Sequence, residues 1–100
     1  MQRNFNTNSL GLNFEKSQII EVWKKGISIG GYDPNLWRKD KCGSLMSFNE
    51  YGNRNSDSGW EIDHINPVSN GGNDNLNNLQ PLNWKNNLNK SDKLDWNCNK

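Results

Sequence analysis

Residues 60–65, Trp-Glu-Ile-Asp-His-Ile, are the part of this chain that most restricts its fold. Bulky apolar and polar side chains alternate, so the run reads as a strand. Trp60, Ile62 and His64 fall on one face and Glu61, Asp63 and Ile65 on the other. Pro67 ends the strand, because proline brings no ladder N–H, and Gly71-Gly72 mark a tight loop beyond it. His64 is the only histidine of the chain. Taken alone, a histidine at a strand end is usually a hydrogen-bonded surface or core residue. Its neighbour Asp63 shifts the balance: a carboxylate can hold a divalent cation, and an imidazole can take a proton from water. Side chains at adjacent positions leave a regular strand on opposite faces, so a shared site requires the strand to distort, and Asn66-Pro67 offer the break.

The rest of the chain reads as short elements around this strand. Residues 1–12 are polar and rich in Asn, and are expected to form a flexible lead. A helix of about three turns follows, with Asn13 as its cap, Glu15 in the first turn, Trp23 facing inward and Gly26 as its stop. Asp33-Pro34 suit the start of a second short helix. Residues 42–48 read as a strand burying Leu45 and Phe48, which forms a hairpin with the 60–65 strand across a turn-rich segment. Residues 79–82, Leu-Gln-Pro-Leu, read as an apolar tether. A last helix begins near Asn83, with Trp84 and Leu88 on its core face and Asn83, Asn87 and Lys90 in a stripe beside them. The single domain is expected to span 13–100.

Composition restricts function less than pattern does. A hydrophobic fraction of 31% implies a small core, which five tryptophans help to fill. The net charge of +1 neither demands nor excludes a nucleic-acid partner. Two cysteines, Cys42 and Cys98, are too few for a disulfide scaffold or a four-thiolate zinc site, and are expected as reduced thiols in a cytoplasmic protein. No segment is apolar enough to cross a membrane. With twenty asparagines in the chain, an individual Asn carries meaning only through its position.

The ordered run Asp63-His64, Pro67, Gly71-Gly72, Asn78-Leu79, Asn87 and Lys90 resembles the HNH endonuclease motif. The resemblance covers residues 42–93 and implies an α+β fold of the ββα-metal, or His-Me, finger type: a β-hairpin packed on a C-terminal helix, here with extra N-terminal helices. It implies Asp63 and Asn87 as ligands of one divalent ion, Mg²⁺ or Mn²⁺, whose hard-oxygen preference these donors match. It implies His64 as the general base, Asn78 as the residue that ties the loop and orients His64, and Lys90 as the lysine nearest the phosphate. Many relatives carry two Cys-x-x-Cys pairs for a structural zinc. The corresponding positions here are Lys39 with Cys42 and Asn83 with Asn86, so no structural zinc is expected.

The implied substrate is DNA, held mainly through its phosphates by Arg38, Lys39, Lys41, Arg54, Lys85 and Lys93, with Lys85, Lys90 and Lys93 on the last helix. A single finger has one active site, so a homodimer or a larger defence or mobile-element complex is compatible with it. Two other functions compete: a catalytically weakened DNA-binding module of the same fold, and a small interaction domain without nucleic acid.

Overall fold

A computed structural model describes residues 4–98. The first three residues of the expected lead and the last two of the expected domain lie outside them. The chain is a small α+β protein with two short sheets and two α-helices among the described residues. One α-helix precedes the motif, where a pair was expected.

Helix α1 covers Lys16–Trp23. Its cap is Glu15, not Asn13: the Gln18 side chain accepts from the Glu15 N–H at 3.0 Å, closing a capping box. Val22 and Trp23 are buried, and the Trp23 indole N–H donates to Pro34 O at 2.9 Å. That bond helps to hold the Asp33-Pro34 segment as a single turn. Asp33 Oδ1 accepts from Asn35 N, and its carbonyl accepts from Leu36 N and Trp37 N. The chain then extends as a strand, so no second helix forms where one was expected. The capping chemistry of Asp33 is present, but the sheet takes the residues that would have continued the helix.

Strands β1 (Ile27–Ser28), β2 (Trp37–Lys39) and β3 (Leu45–Ser47) form an antiparallel sheet in that order. The register pairs Arg38 with Met46, and it corrects the expected facing of β3: Met46 is fully buried, whereas Leu45 is exposed. Phe48 lies in a 3-10 turn, Phe48–Glu50, partly buried against the core.

The hairpin also differs from expectation. Strand β4, Trp60–His64, pairs with β5, Leu79–Asn83, and not with the 42–48 segment. The expected tether 79–82 is therefore a strand. Pro81 obscures it, yet among the described residues β5 pairs only with β4, and a proline is tolerated on such an edge. Helix α2, Trp84–Lys90, follows directly, capped by Asn83, whose side chain accepts from Lys85 N at 3.0 Å. The helix stops before Lys93. Its buried residues are Asn87 and Lys90, while Leu88, expected in the core, is 49% exposed.

That inversion explains the layering. All five residues of β4 are buried. Trp60 and Ile62 enter the core with Phe14, Val22, Trp23, Met46 and Leu79. Trp60 packs against Trp23 and Tyr51 at ring-centroid distances of 5.0 and 4.9 Å. The opposite, polar face of β4 lies under α2, whose polar stripe is turned inward to meet it.

The two cysteines are joined. Cys42 and Cys98 form a disulfide with Cα atoms 5.3 Å apart, and no free cysteine remains among the described residues. The expectation of reduced thiols is thus overturned, and with it the basis on which a reducing compartment was inferred. No helix of the described residues is long and apolar enough to cross a membrane.

Candidate active site

The loop from His64 to β5 is drawn tight by one side chain. Asn78 Oδ1 accepts from Asn66 N at 2.8 Å, and Asn78 Nδ2 donates to Asn66 O at 3.1 Å and to Asn73 O at 2.8 Å. These bonds span the loop's two ends, beside the last ladder pair His64–Leu79. The two glycines serve distinct needs. Gly71 adopts φ +87°, and a Cβ on Gly72 would lie 1.7 Å from Asn66 O.

Asp63 and His64 border one cleft, together with Asn87, Ile62 and residues 4–7 of the N-terminal segment. The strand need not distort to achieve this. The cleft follows the edge of β4 away from β5, where residues from both faces can border it. The edge itself is closed in part by Asn6, whose Oδ1 accepts from Ile62 N at 2.8 Å and from the Tyr51 hydroxyl at 2.9 Å.

Each polar group of β4 has a defined partner. Gln80 Nε2 donates to Asp63 Oδ2 at 2.9 Å, and the Lys90 ammonium lies 3.3 Å from the same oxygen. Oδ1 takes part in neither contact. Burial pushes the Asp63 carboxyl above its ordinary range, while the Gln80 bond, Lys90 and His64 pull it back only in part. Lys90 also donates to His64 O at 3.0 Å and is 2% exposed, so its charge is directed into the protein beneath β4.

Glu61 was not singled out in the sequence. Its carboxylate is 3% exposed and receives the Arg54 guanidinium through two bonds of 2.7 and 2.8 Å. It also accepts from Asn87 Nδ2 at 2.8 Å, which leaves Oδ1 as the free end of the Asn87 amide. The available signal was alternation: Glu61 shares a strand face with Asp63. Asp74 was missed as well. Its Oδ1 lies 2.7 Å from His64 Nε2, and no pattern distinguishes it within an Asn-rich loop.

The expected phosphate-binding residues are scattered. Arg54 is committed to Glu61, with its guanidinium carbon 4.6 Å from the Phe5 ring centroid. Arg38 is committed to the carbonyls of Pro34 and Gly26. Lys85 pairs with Asp57 at 2.9 Å, Lys41 lies 5.5 Å from the Trp96 ring centroid, and Lys93 donates to Asn89 O. Lys39 is exposed on β2. None of the six is among the residues that border the cleft.

A carboxylate, an imidazole and a carboxamide thus border one cleft, mounted on a hairpin and the helix that follows it. A family model described as HNH endonuclease matches residues 41–93, more than half of the chain, and the chain belongs to that family. Membership brings a DNA-cleaving or DNA-binding function with it. No curated protein and no solved structure matches the chain.

Proposed function

We propose that this chain is a metal-dependent DNA endonuclease whose β4–β5 hairpin and α2 act as a ββα-metal finger. The observation that carries the reading is the convergence of Asp63, His64 and Asn87 on one cleft. Among the described residues no three His, Cys, Asp or Glu side chains cluster closely enough to hold a metal ion by themselves. Two protein oxygens, Asp63 Oδ1 and Asn87 Oδ1, nevertheless suit Mg²⁺ or Mn²⁺, which bind through one or two protein oxygens and take the remainder from water and phosphate. Such an ion, when bound, supplies Lewis-acid stabilisation of the charge that develops on the scissile phosphate.

The chain's own residues do the rest. His64 takes the proton of the attacking water, a step typically worth about 10²–10⁴-fold. Asn78 fixes the loop that follows His64 and so restricts the imidazole's position. Glu61, held by Arg54, turns the Asn87 carboxamide so that its oxygen is available. Lys90 steadies Asp63 and the His64 carbonyl from below, a role its burial favours over direct contact with a phosphate. DNA meets the protein through phosphates, with the dispersed lysines giving weak sequence preference and strong salt dependence.

Supercoiled plasmid incubated with the protein in Mg²⁺, in Mn²⁺ and in EDTA tests the reading, with His64→Ala alongside. Nicking by the wild type in metal alone, and none by His64→Ala, is the expected result. Full activity in EDTA, or a variant that nicks at the wild-type rate, removes it. DNA binding without any nicking would leave a binding module that lost its chemistry.

A further inference from the structure

The N-terminal segment lies outside the family-matched region, yet it reaches the base. Ser9 N donates to both Asp74 oxygens, at 3.0 and 3.1 Å, and Ser9 Oγ donates to Asp74 Oδ2 at 2.6 Å. Asp74 Oδ1 in turn lies 2.7 Å from His64 Nε2. The segment is anchored beside this contact by Asn6 on the β4 edge, and Phe14, just before α1, sets its ring 6.0 Å from the imidazole.

We propose that Asp74, clamped by Ser9, is the positioning residue of His64, fixing the tautomer in which Nε2 carries the proton and Nδ1 is free to accept one. The inference rests on the reading of His64 as the base. Its physical basis is the inventory of donors. An ionised carboxylate can only accept, so the imidazole nitrogen facing it must donate, and a neutral imidazole has one N–H to give. Asp74 is held ionised: partial burial pushes its carboxyl up, but the bonds from His64 and Ser9 outweigh that and leave it below the ordinary range.

Ser9 has a second effect. Asp74 is on a loop and its side chain is 28% exposed, so without the serine it could swing toward solvent. Bonds to both carboxylate oxygens remove that freedom before substrate arrives. The catalytic unit therefore extends beyond residues 41–93, and the segment before α1 is part of it.

Because His64 is the only histidine of this chain, imidazole ¹⁵N NMR of the labelled chain reports on it without ambiguity. Spectra in mildly alkaline buffer should give the Nε2–H tautomer, with an N–H resonance sheltered from exchange. Asp74→Ala should lose that resonance to solvent exchange, and Ser9→Ala should weaken it. Asp74→Asn, whose amide oxygen still accepts, should retain it.

In parallel plasmid assays, Asp74→Ala should lower kcat on the order of 10²-fold, as expected for a misplaced catalytic group, with KM nearly unchanged. An Nδ1–H tautomer in the wild type, or an N–H resonance unaltered in Asp74→Ala, overturns the proposal. If Asp74→Ala does not fold, Ser9→Ala and Asp74→Asn decide by the same spectra. A wild type with the Nε2–H tautomer that never nicks DNA overturns the nuclease reading instead, and the spectra separate the two failures.

Discussion

Asn87 donates its amide to the buried Glu61 carboxylate at 2.8 Å, from a position only 2% exposed. In a chain with twenty asparagines, this bond together with a place on the cleft sets Asn87 apart. It fixes which end of the carboxamide is free. Glu61→Gln removes that discrimination, because a glutamine can accept or donate, and it discharges the partner of Arg54. Metal-dependent nicking should fall roughly 10–100-fold, the usual cost of losing the outer partner of a ligand. The midpoint of a Mn²⁺ titration should move to higher concentration. Unchanged metal dependence in Glu61→Gln would separate Glu61 from the site.

Tyr51 links that site to the N-terminal segment through its hydroxyl bond to Asn6. Burial pushes its phenol up, the Asn6 bond pulls it down, and the charge of Glu61 adds to the rise, giving about 12 against an ordinary 10.0. With the folded pKa above the unfolded one, the fold binds the proton more tightly. The stability that follows is fully present below pH 10 and is lost as pH rises through 12. Tyr51→Phe has no such proton to lose. Melting temperatures of the two proteins, measured from neutral pH to pH 12, should converge toward the alkaline end, where the wild type alone incurs this loss. Parallel curves would show that the phenol is not buried as described.

The Cys42–Cys98 disulfide closes a span of 56 residues and ties the end of the described chain to the loop before β3. Chain-entropy reasoning gives such a closure about 4 kcal/mol. Reduction, or a Cys42→Ser/Cys98→Ser double variant, should lower the melting temperature by roughly 15–30 °C, given about 4–8 °C per kcal/mol for a domain of this size. No active-site group described above is part of the bridge. Nicking at temperatures well below the melt should therefore survive reduction.

What the sequence made legible follows from where each signal is encoded. Asp63, His64 and the β4 alternation are local patterns, and they appear in the structure as strand residues at one cleft. The misread elements are those decided by tertiary context. Leu88 read as core because it is apolar and at helical spacing from Trp84. The polar face of β4 instead asks α2 for hydrogen-bonding partners, so the helix turns Asn87 and Lys90 inward. The 79–83 segment was hidden by Pro81, which only an edge strand admits.

Asp40 shows the same limit. Its carboxylate, 1% exposed, accepts from Cys42 N, Ser44 N, Asn83 N and Asn86 Nδ2. Cys42, Asn83 and Asn86 are three of the positions that the resemblance to the HNH motif aligns with zinc-binding cysteines. A buried anion gathers the same two segments here by hydrogen bonds, an arrangement that no spacing rule announces.

Lys90 allows the sharpest separation of roles. A lysine that served a phosphate from the surface could be removed with little effect on the fold. This ammonium is buried, 3.3 Å from Asp63 and 3.0 Å from the His64 carbonyl. Removing it strands a carboxylate whose pKa burial already raises. Breaking one side of a buried ion pair costs about 3–5 kcal/mol. Lys90→Met, which keeps the aliphatic volume, should therefore lower the urea midpoint by an amount equivalent to roughly 3 kcal/mol or more, and should reduce nicking as well. The double variant Lys90→Met/Asp63→Asn should recover much of the stability, because no unpaired charge remains, and none of the activity, because the proposed metal ligand is gone. Urea melts and plasmid assays on the wild type, both single variants and the double variant give the full cycle. A Lys90→Met protein of wild-type stability that has lost only its cleavage would return the lysine to the phosphate.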